Sequence, residues 1–266
     1  MSILNLLPKN AKIISGDILY NGKSVRGLSE QDYREIRGKK IALIPQYPMT
    51  SLNPLFTIGD QLLEVIKIHQ HIYGKEAEKR AIEALEAVQI PSAKERFKSY
   101  PHEFSGGMKQ RAIIAMALAC NAEILIADEP TTALDVTIQA QIMELINDIK
   151  RERDMSVILI THDLALVREN SDKICVMYCG HIVEEGDTKE FFEGPLHPYS
   201  QALLKSLPRV RGISLETIKG QPPSIMQMIQ GCKFHPRCKD STNVCTHQIP
   251  ILKNVGNRRS CACHLC

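Results

Sequence analysis

Aromatic residues are scarce in this 266-residue chain, 5% with no tryptophan, while 44% hydrophobic and 24% charged residues make the composition that of an ordinary globular protein. Disorder, collagen and mucin-like stalks are excluded. Charge of one sign is also lacking. Thirty-three Lys and Arg against thirty Asp and Glu leave a net +3, too little for the dense positive field of a dedicated nucleic-acid binder. Long apolar runs are missing too: Ala112 to Cys120 and Ile124 to Ala127 fall well short of the roughly 20 residues that cross a bilayer. The opening Met1 to Pro8 has no basic leader and is too short for a secretory signal, so the sequence reads as soluble and unexported. There is no internal repeat and no low-complexity tract.

Periodicity supplies the elements. Asp17 to Tyr20, Asn21-Gly22 and Lys23 to Val25 read as a β-hairpin on its preferred two-residue turn. Lys40 to Pro45 reads as a short buried strand with a proline stop. From Thr57 to about Pro101 the spacing turns helical, with Ile58, Leu62, Val65 and Ile66 on one face and Ala81, Leu85 and Val88 on the next. Glu123 to Asp128 and Ser156 to His162 read as strands buried on both faces of a parallel sheet. Ile138, Ile142, Leu145, Ile146 and Ile149 form the stripe of a crossover helix between them. Ile174 to Tyr178 and His181 to Glu184 read as a second hairpin around Cys179-Gly180, followed from Pro195 by a proline-dotted tail and a loose boundary at 195–215.

Two segments carry chemistry in this frame. Asp128 and Glu129 stand at the carboxyl end of an apolar strand, the edge where open α/β sheets bind ligands. One acid there can hold Mg²⁺ and the next can polarise a water for phosphoryl transfer, although a strand ending in an acidic turn is common enough to be merely structural. Ser105-Gly106-Gly107 opens a strongly helical segment whose free N–H groups favour an anion; the plain alternative is a capped helix with a glycine entry.

Order and spacing give these segments a shared meaning, because nearly the full chain resembles the ATPase subunits of ABC transporters, specifically the oligopeptide, dipeptide and nickel importers. Ile44-Pro-Gln46 to Pro54 resembles the family's Q-loop. Phe104 to Gln110 resembles its signature motif, with Phe104 and Lys109 where leucine and arginine are usual. Asp128 and Glu129 match the Walker B pair, Ala133-Leu134-Asp135 the D-loop, and His162 the switch histidine. The resemblance implies an α/β P-loop ATPase fold with a helical subdomain at about 55–110 in a domain spanning 1–205, and a small cysteine-rich extension over 206–266. It implies ATP and Mg²⁺ as ligands, Glu129 and His162 as catalytic residues, Asp128 as the magnesium residue, and Gln46, Ser105, Gly106, Gly107, Gln110 and Asp135 as further nucleotide-site residues. Its partners would be a second ATPase subunit, two permeases and an extracytoplasmic binding protein at the cytoplasmic face of the membrane, with no nucleic acid.

The pattern Gly-x-x-x-x-Gly-Lys-Ser/Thr does not occur in these residues. Gly22-Lys23-Ser24 is a decoy, since the position five before Gly22 is Asp17 and the triplet lies in a hairpin turn. The resemblance makes Ser2 to Pro8 the end of the helix that follows the phosphate loop and Met1 an internal methionine, so an N-terminally truncated subunit is expected. Such a chain alone should bind ATP poorly and, without its first strand, be prone to unfold or aggregate. Two rivals follow: a non-catalytic remnant lending only its signature motif to a partner's site, and a soluble ABC ATPase of repair or translation.

Six of the nine cysteines (Cys232, Cys238, Cys245, Cys261, Cys263 and Cys266) fall in the last 35 residues, which favours a local metal site over scattered disulfides. Cys-x5-Cys-x6-Cys does not fit zinc-ribbon spacing. It resembles the extension of peptide-importer subunits, which implies a [4Fe–4S] cluster on Cys232, Cys238, Cys245 and a fourth ligand. Ala262-Cys263-His264 fits the family's ending better than Cys261, with Cys266 spare; reduced thiols without metal are the plain alternative. His197-Pro-Tyr199 resembles the segment that precedes this extension in the same branch.

Overall fold

The computed structural model of the chain describes residues 1–47, 51–132, 134–207, 218–224 and 229–266. They form two compact units, Met1–His162 and Asp163–Cys266. The architecture is α/β. Among the described residues no helix is long and apolar enough to cross a membrane.

In the first unit a short 3-10 turn, Ser2–Leu4, ends at Asn5 in the left-handed region. Strands β1 (Leu19–Tyr20) and β2 (Lys23–Ser24) form the expected antiparallel hairpin. Asn21 and Gly22 have φ of 49° and 74°, the two positive values that this turn demands and that Asn and Gly tolerate best. The core is a three-stranded parallel sheet in the order β3 (Ile41–Ile44), β4 (Ile124–Asp128), β5 (Ser156–Ile160).

The segment between β3 and β4 is helical for a local reason. Thr57 accepts from the Asp60 amide at 3.1 Å while Asp60 accepts from the Thr57 amide at 3.1 Å, a capping box that starts helix Ile58–Gln70. That helix buries Ile58, Leu62 and Ile66, and helix Gly74–Ala87 buries Ala77, Ala81 and Leu85. Both pack on helix Gly106–Ala119, which is apolar nearly all round and buried along most of its length. The guanidinium of Arg111 is held inside by donation to the Val88 carbonyl at 2.9 Å and to Gln141 Oε1 at 2.9 Å.

One strand departs from expectation. β4 is buried along its centre, but β5 alternates, with Ile158 43% and Ile160 47% exposed. β5 pairs only with β4 among the described residues, so its apolar run belongs to an edge strand and not to one buried on both faces.

The second unit carries an antiparallel sheet in the order β6 (Lys173–Tyr178), β7 (His181–Asp187), β9 (Arg259–Cys261), β8 (Lys253–Gly256). β6 and β7 meet at Cys179-Gly180, whose φ values of 46° and 80° make the turn. Its core gathers Ile174, Val176, Tyr178, Val183, Phe191, Leu204 and Phe234.

Candidate functional site

Parallel register decides which residues meet at the carboxyl edge of β3, β4 and β5. Ile44 lies opposite Ala127, and Asp128 opposite Ile160, so the residues that leave these strands emerge side by side: Gln46 after β3, Asp128 and Glu129 at the end of β4, His162 after β5. Sequence reasoning named all four.

Glu129 is the best-defined of them. Its φ is 51°, a left-handed conformation that is uncommon for a non-glycine residue and concentrates at functional sites. The backbone is held there by donation of the Glu129 amide to the Ile160 carbonyl at 2.8 Å. Its carboxylate faces two neighbours. The Thr132 hydroxyl donates to Oε2, and His162 Nδ1 lies 2.8 Å from Oε1. The Thr132 bond holds the Glu129 carboxyl below the usual carboxylate value; partial burial pushes it up, and His162 acts with Thr132 to keep it ionised. His162 is 79% exposed in its side chain whereas Glu129 is 18% exposed, so a sheltered carboxylate is presented beside an open imidazole. Asp128 is half-buried, and among the described residues no side chain partners its carboxylate.

The signature segment is built on another element. Ser105 is the N-cap of helix Gly106–Ala119 and accepts from the Met108 amide at 3.3 Å. Ser105 and Gly106 are exposed. Gly107 is fixed by packing, since a Cβ there would stand 3.0 Å from the Ile138 side chain. Gln110 is 1% exposed and neither amide atom has a hydrogen-bond partner among the described residues. Asp135 is exposed and caps helix Val136–Arg153, accepting from the Ile138 amide at 3.0 Å. Ala133 of the D-loop, and residues 48–50 of the Q-loop segment, lie outside the described residues.

In the second unit Cys232, Cys238, Cys245 and Cys263 are free thiols. The Cys232 amide donates to the Cys245 carbonyl at 2.9 Å. Burial is the main cause that raises the Cys232 and Cys238 thiols. Cys232 also senses Cys245 and Cys263, and Cys238 senses Cys263 and Cys232, through their charges. Cys261 and Cys266 are joined to each other. Among the described residues no three metal-binding side chains stand close enough to hold a single ion.

Sequence reasoning missed Thr132, whose spacing three residues after Glu129 was its only signal. It also missed Glu184 and Arg259, which have no motif; Glu184 is 1% exposed in its side chain and paired with Arg259 at 2.9 Å.

An acidic pair and a histidine at the carboxyl edge of a parallel sheet, in a chain that also carries a helix with a Ser-Gly-Gly start, fit a nucleotide-hydrolysing α/β cassette. Comparisons with known proteins narrow this. The ABC transporter family model matches residues 2–132, and the model for the C-terminal region of oligopeptide/dipeptide transporters matches residues 183–245. A probable peptide ABC transporter ATP-binding protein of Sinorhizobium fredii is 47% identical over 99% of this chain and 80% of its own length. The oligopeptide transport ATP-binding protein of Escherichia coli is 44% identical over 98% and 78%, and the dipeptide transport ATP-binding protein of Bacillus subtilis 50% identical over 94% and 75%. Among solved structures, a dimeric ATP-binding cassette in a post-hydrolysis state with ADP and phosphate matches at TM-score 0.60 and 28% identity, covering 70% of this chain and 79% of that one. The chain belongs to the ABC transporter ATPases, in the branch of the oligopeptide and dipeptide transporter ATP-binding subunits.

Proposed function

We propose that the chain is the ATP-hydrolysing subunit that energises import of peptides through an ABC transporter at the cytoplasmic face of the membrane. The observation that carries the reading is the Glu129 carboxylate, sheltered and kept ionised, 2.8 Å from the exposed His162 ring. Glu129 is the general base that orients the attacking water, and His162 and Gln46 contact the γ-phosphate. Asp128, a carboxylate without a side-chain partner among the described residues at the same edge, would hold Mg²⁺, which when bound neutralises phosphate charge. Ser105, Gly106 and Gly107 present a helix start to the nucleotide of a second ATPase subunit. Gln110 and Asp135 act indirectly, one inside the signature helix and one as a helix cap.

The domain limits follow function: an ATPase domain over 1–205 with its helical part at about 55–110, and an extension over 206–266. In that extension Cys232, Cys238, Cys245 and Cys263 would hold a [4Fe–4S] cluster, a structural staple for a tail with little core of its own. The hydrogen bond from the Cys232 amide to the Cys245 carbonyl supports the set, and Cys263 is taken as the fourth member because Ala262-Cys263-His264 resembles the family's ending. A four-iron cluster is wider than one ion, so its ligands stand further apart than those of a single-ion site.

Two permeases, a second ATPase subunit and an extracytoplasmic binding protein complete the assembly. The test is uptake of a labelled peptide into vesicles carrying the assembly, with and without ATP on the side of this chain. ATP-dependent uptake supports the reading; ATP-dependent uptake of a nickel chelate with none of peptide assigns another cargo. A second reading rests on the exposed Ser105-Gly106 start: the chain lends only its signature helix to a partner's site.

A further inference from the structure

Glu184 sits in the middle of β7 with its side chain 1% exposed, and its carboxylate is shared among three donors. Oε1 accepts from the Leu196 amide at 2.8 Å and from Arg259 Nη2 at 2.9 Å; Oε2 accepts from the His197 amide at 2.9 Å. Burying a carboxylate is costly unless charge and hydrogen bonds are both satisfied. These three bonds tie together segments far apart in sequence, and each segment leads to a different part of the cysteine set.

One path runs through His197. Its Nδ1 accepts from the Tyr199 amide at 3.0 Å, starting helix Pro198–Lys205. The rings of His197 and Tyr199 lie 5.9 Å and 5.3 Å from the ring of Phe234, and Tyr178 meets Phe234 edge-on at 5.2 Å. Phe234 is buried and stands in the loop between Cys232 and Cys238. The other path runs through Arg259, which also donates to the Gly194 carbonyl at 2.6 Å. Arg259 opens β9, where Cys261 lies opposite Glu184 and the Ala262 amide donates to the Val183 carbonyl at 2.8 Å. Cys263 follows directly.

We propose that Glu184 is a positioning residue that holds the two halves of the thiol set in register, fixing the Cys232–Cys238 loop through His197 and Phe234 and the Cys263 strand through Arg259. Its role for a cluster rests on the iron–sulfur reading above, but the link between the two segments stands on the geometry of the metal-free chain. A neutral amide at position 184 keeps the shape, loses the charge and turns an N–H₂ toward a donor, so β9 should open locally while the rest of the sheet stays closed.

The experiment is hydrogen exchange of the full chain without metal, followed by anaerobic incubation with ferrous iron and sulfide and a count of bound iron. Glu184→Gln should speed exchange of the Ala262 amide by about tenfold or more, the loss given by a charge-assisted hydrogen bond, with β6 amides unchanged; Arg259→Lys, which keeps the charge, should fall between it and the parent. An even rise across β6, β7 and β9 would mean general destabilisation and overturn the proposal, as would unchanged exchange at Ala262. If Glu184→Gln does not fold, Arg259→Lys carries the same comparison. Iron uptake by the parent and less than half of it in Glu184→Gln supports both readings. No uptake by the parent removes the cluster reading, and Ala262 exchange still decides the role of Glu184.

Discussion

His162 Nδ1 stands 2.8 Å from Glu129 Oε1, joining the residues that leave two neighbouring parallel strands. The backbone supports the same junction, with the Glu129 amide bound to the Ile160 carbonyl. The geometry that positions this carboxylate is therefore part of the sheet and not a loop accident. Removing the imidazole by His162→Ala leaves Glu129 held by Thr132 and by its backbone. ATP hydrolysis by the assembled transporter should fall on the order of 10²-fold with the fold intact, read as phosphate release beside circular dichroism.

Thr132 acts on the same carboxylate from the other oxygen. Thr132→Val removes the largest cause that lowers the Glu129 carboxyl, so its value should rise toward that of an ordinary glutamate. A base must be ionised to work, and the acid limb of the rate profile should move to higher pH. Hydrolysis measured from pH 4 to 8 checks this; an unmoved limb with a uniformly lower rate would assign Thr132 a packing role.

His197 predicts acid sensitivity in the second unit. Burial lowers it from 6.5 to about 4 despite the nearby Glu184. The unfolded chain therefore binds the proton first as pH falls, and stability present above pH 6.5 is lost between 6.5 and about 4. The loss at pH 5 is roughly 2 kcal/mol by that difference. Urea unfolding at pH 7 and pH 5 should show it for the parent and a flatter response for His197→Asn.

Gly231 tests how the thiols are gathered. It has φ of 65°, and a Cβ there would meet the Cys245 carbonyl oxygen at 2.3 Å. Gly231→Ala combines a strained conformation with a backbone collision beside the Cys232–Cys245 hydrogen bond. The expected loss is about 2–4 kcal/mol, measured by denaturant melts, together with lower iron retention. Ala in place of the exposed Gly194, where no atom lies within 4 Å of a Cβ, should change neither.

Much of the first unit was legible because its signals are local. Asn21-Gly22 fixes a hairpin, the spacing of Ile58, Leu62, Val65 and Ile66 fixes a helix, and two apolar runs ending in Asp128-Glu129 and Thr161-His162 fix which residues reach the sheet edge. What could not be read depends on neighbours. Ile158 and Ile160 look like a buried strand, but among the described residues β5 pairs only with β4 and leaves them 43% and 47% exposed. Gln110 is 1% exposed, a burial set by the all-round apolar helix and not by its own residue type. Glu184 and Arg259 are ordinary charges in sequence, and only the antiparallel pairing of β7 with β9 brings them together across 75 residues.

The central claim is that Glu129 is the hydrolytic base of this subunit. Phosphate release by the reconstituted transporter, compared among the parent, Glu129→Gln and Ser105→Arg, tests it most directly. The account predicts a fall on the order of 10²–10⁴-fold for Glu129→Gln, with ATP binding retained. Release that persists in Glu129→Gln but is lost in Ser105→Arg would contradict it, and would leave the chain as the donor of a signature helix to its partner's site.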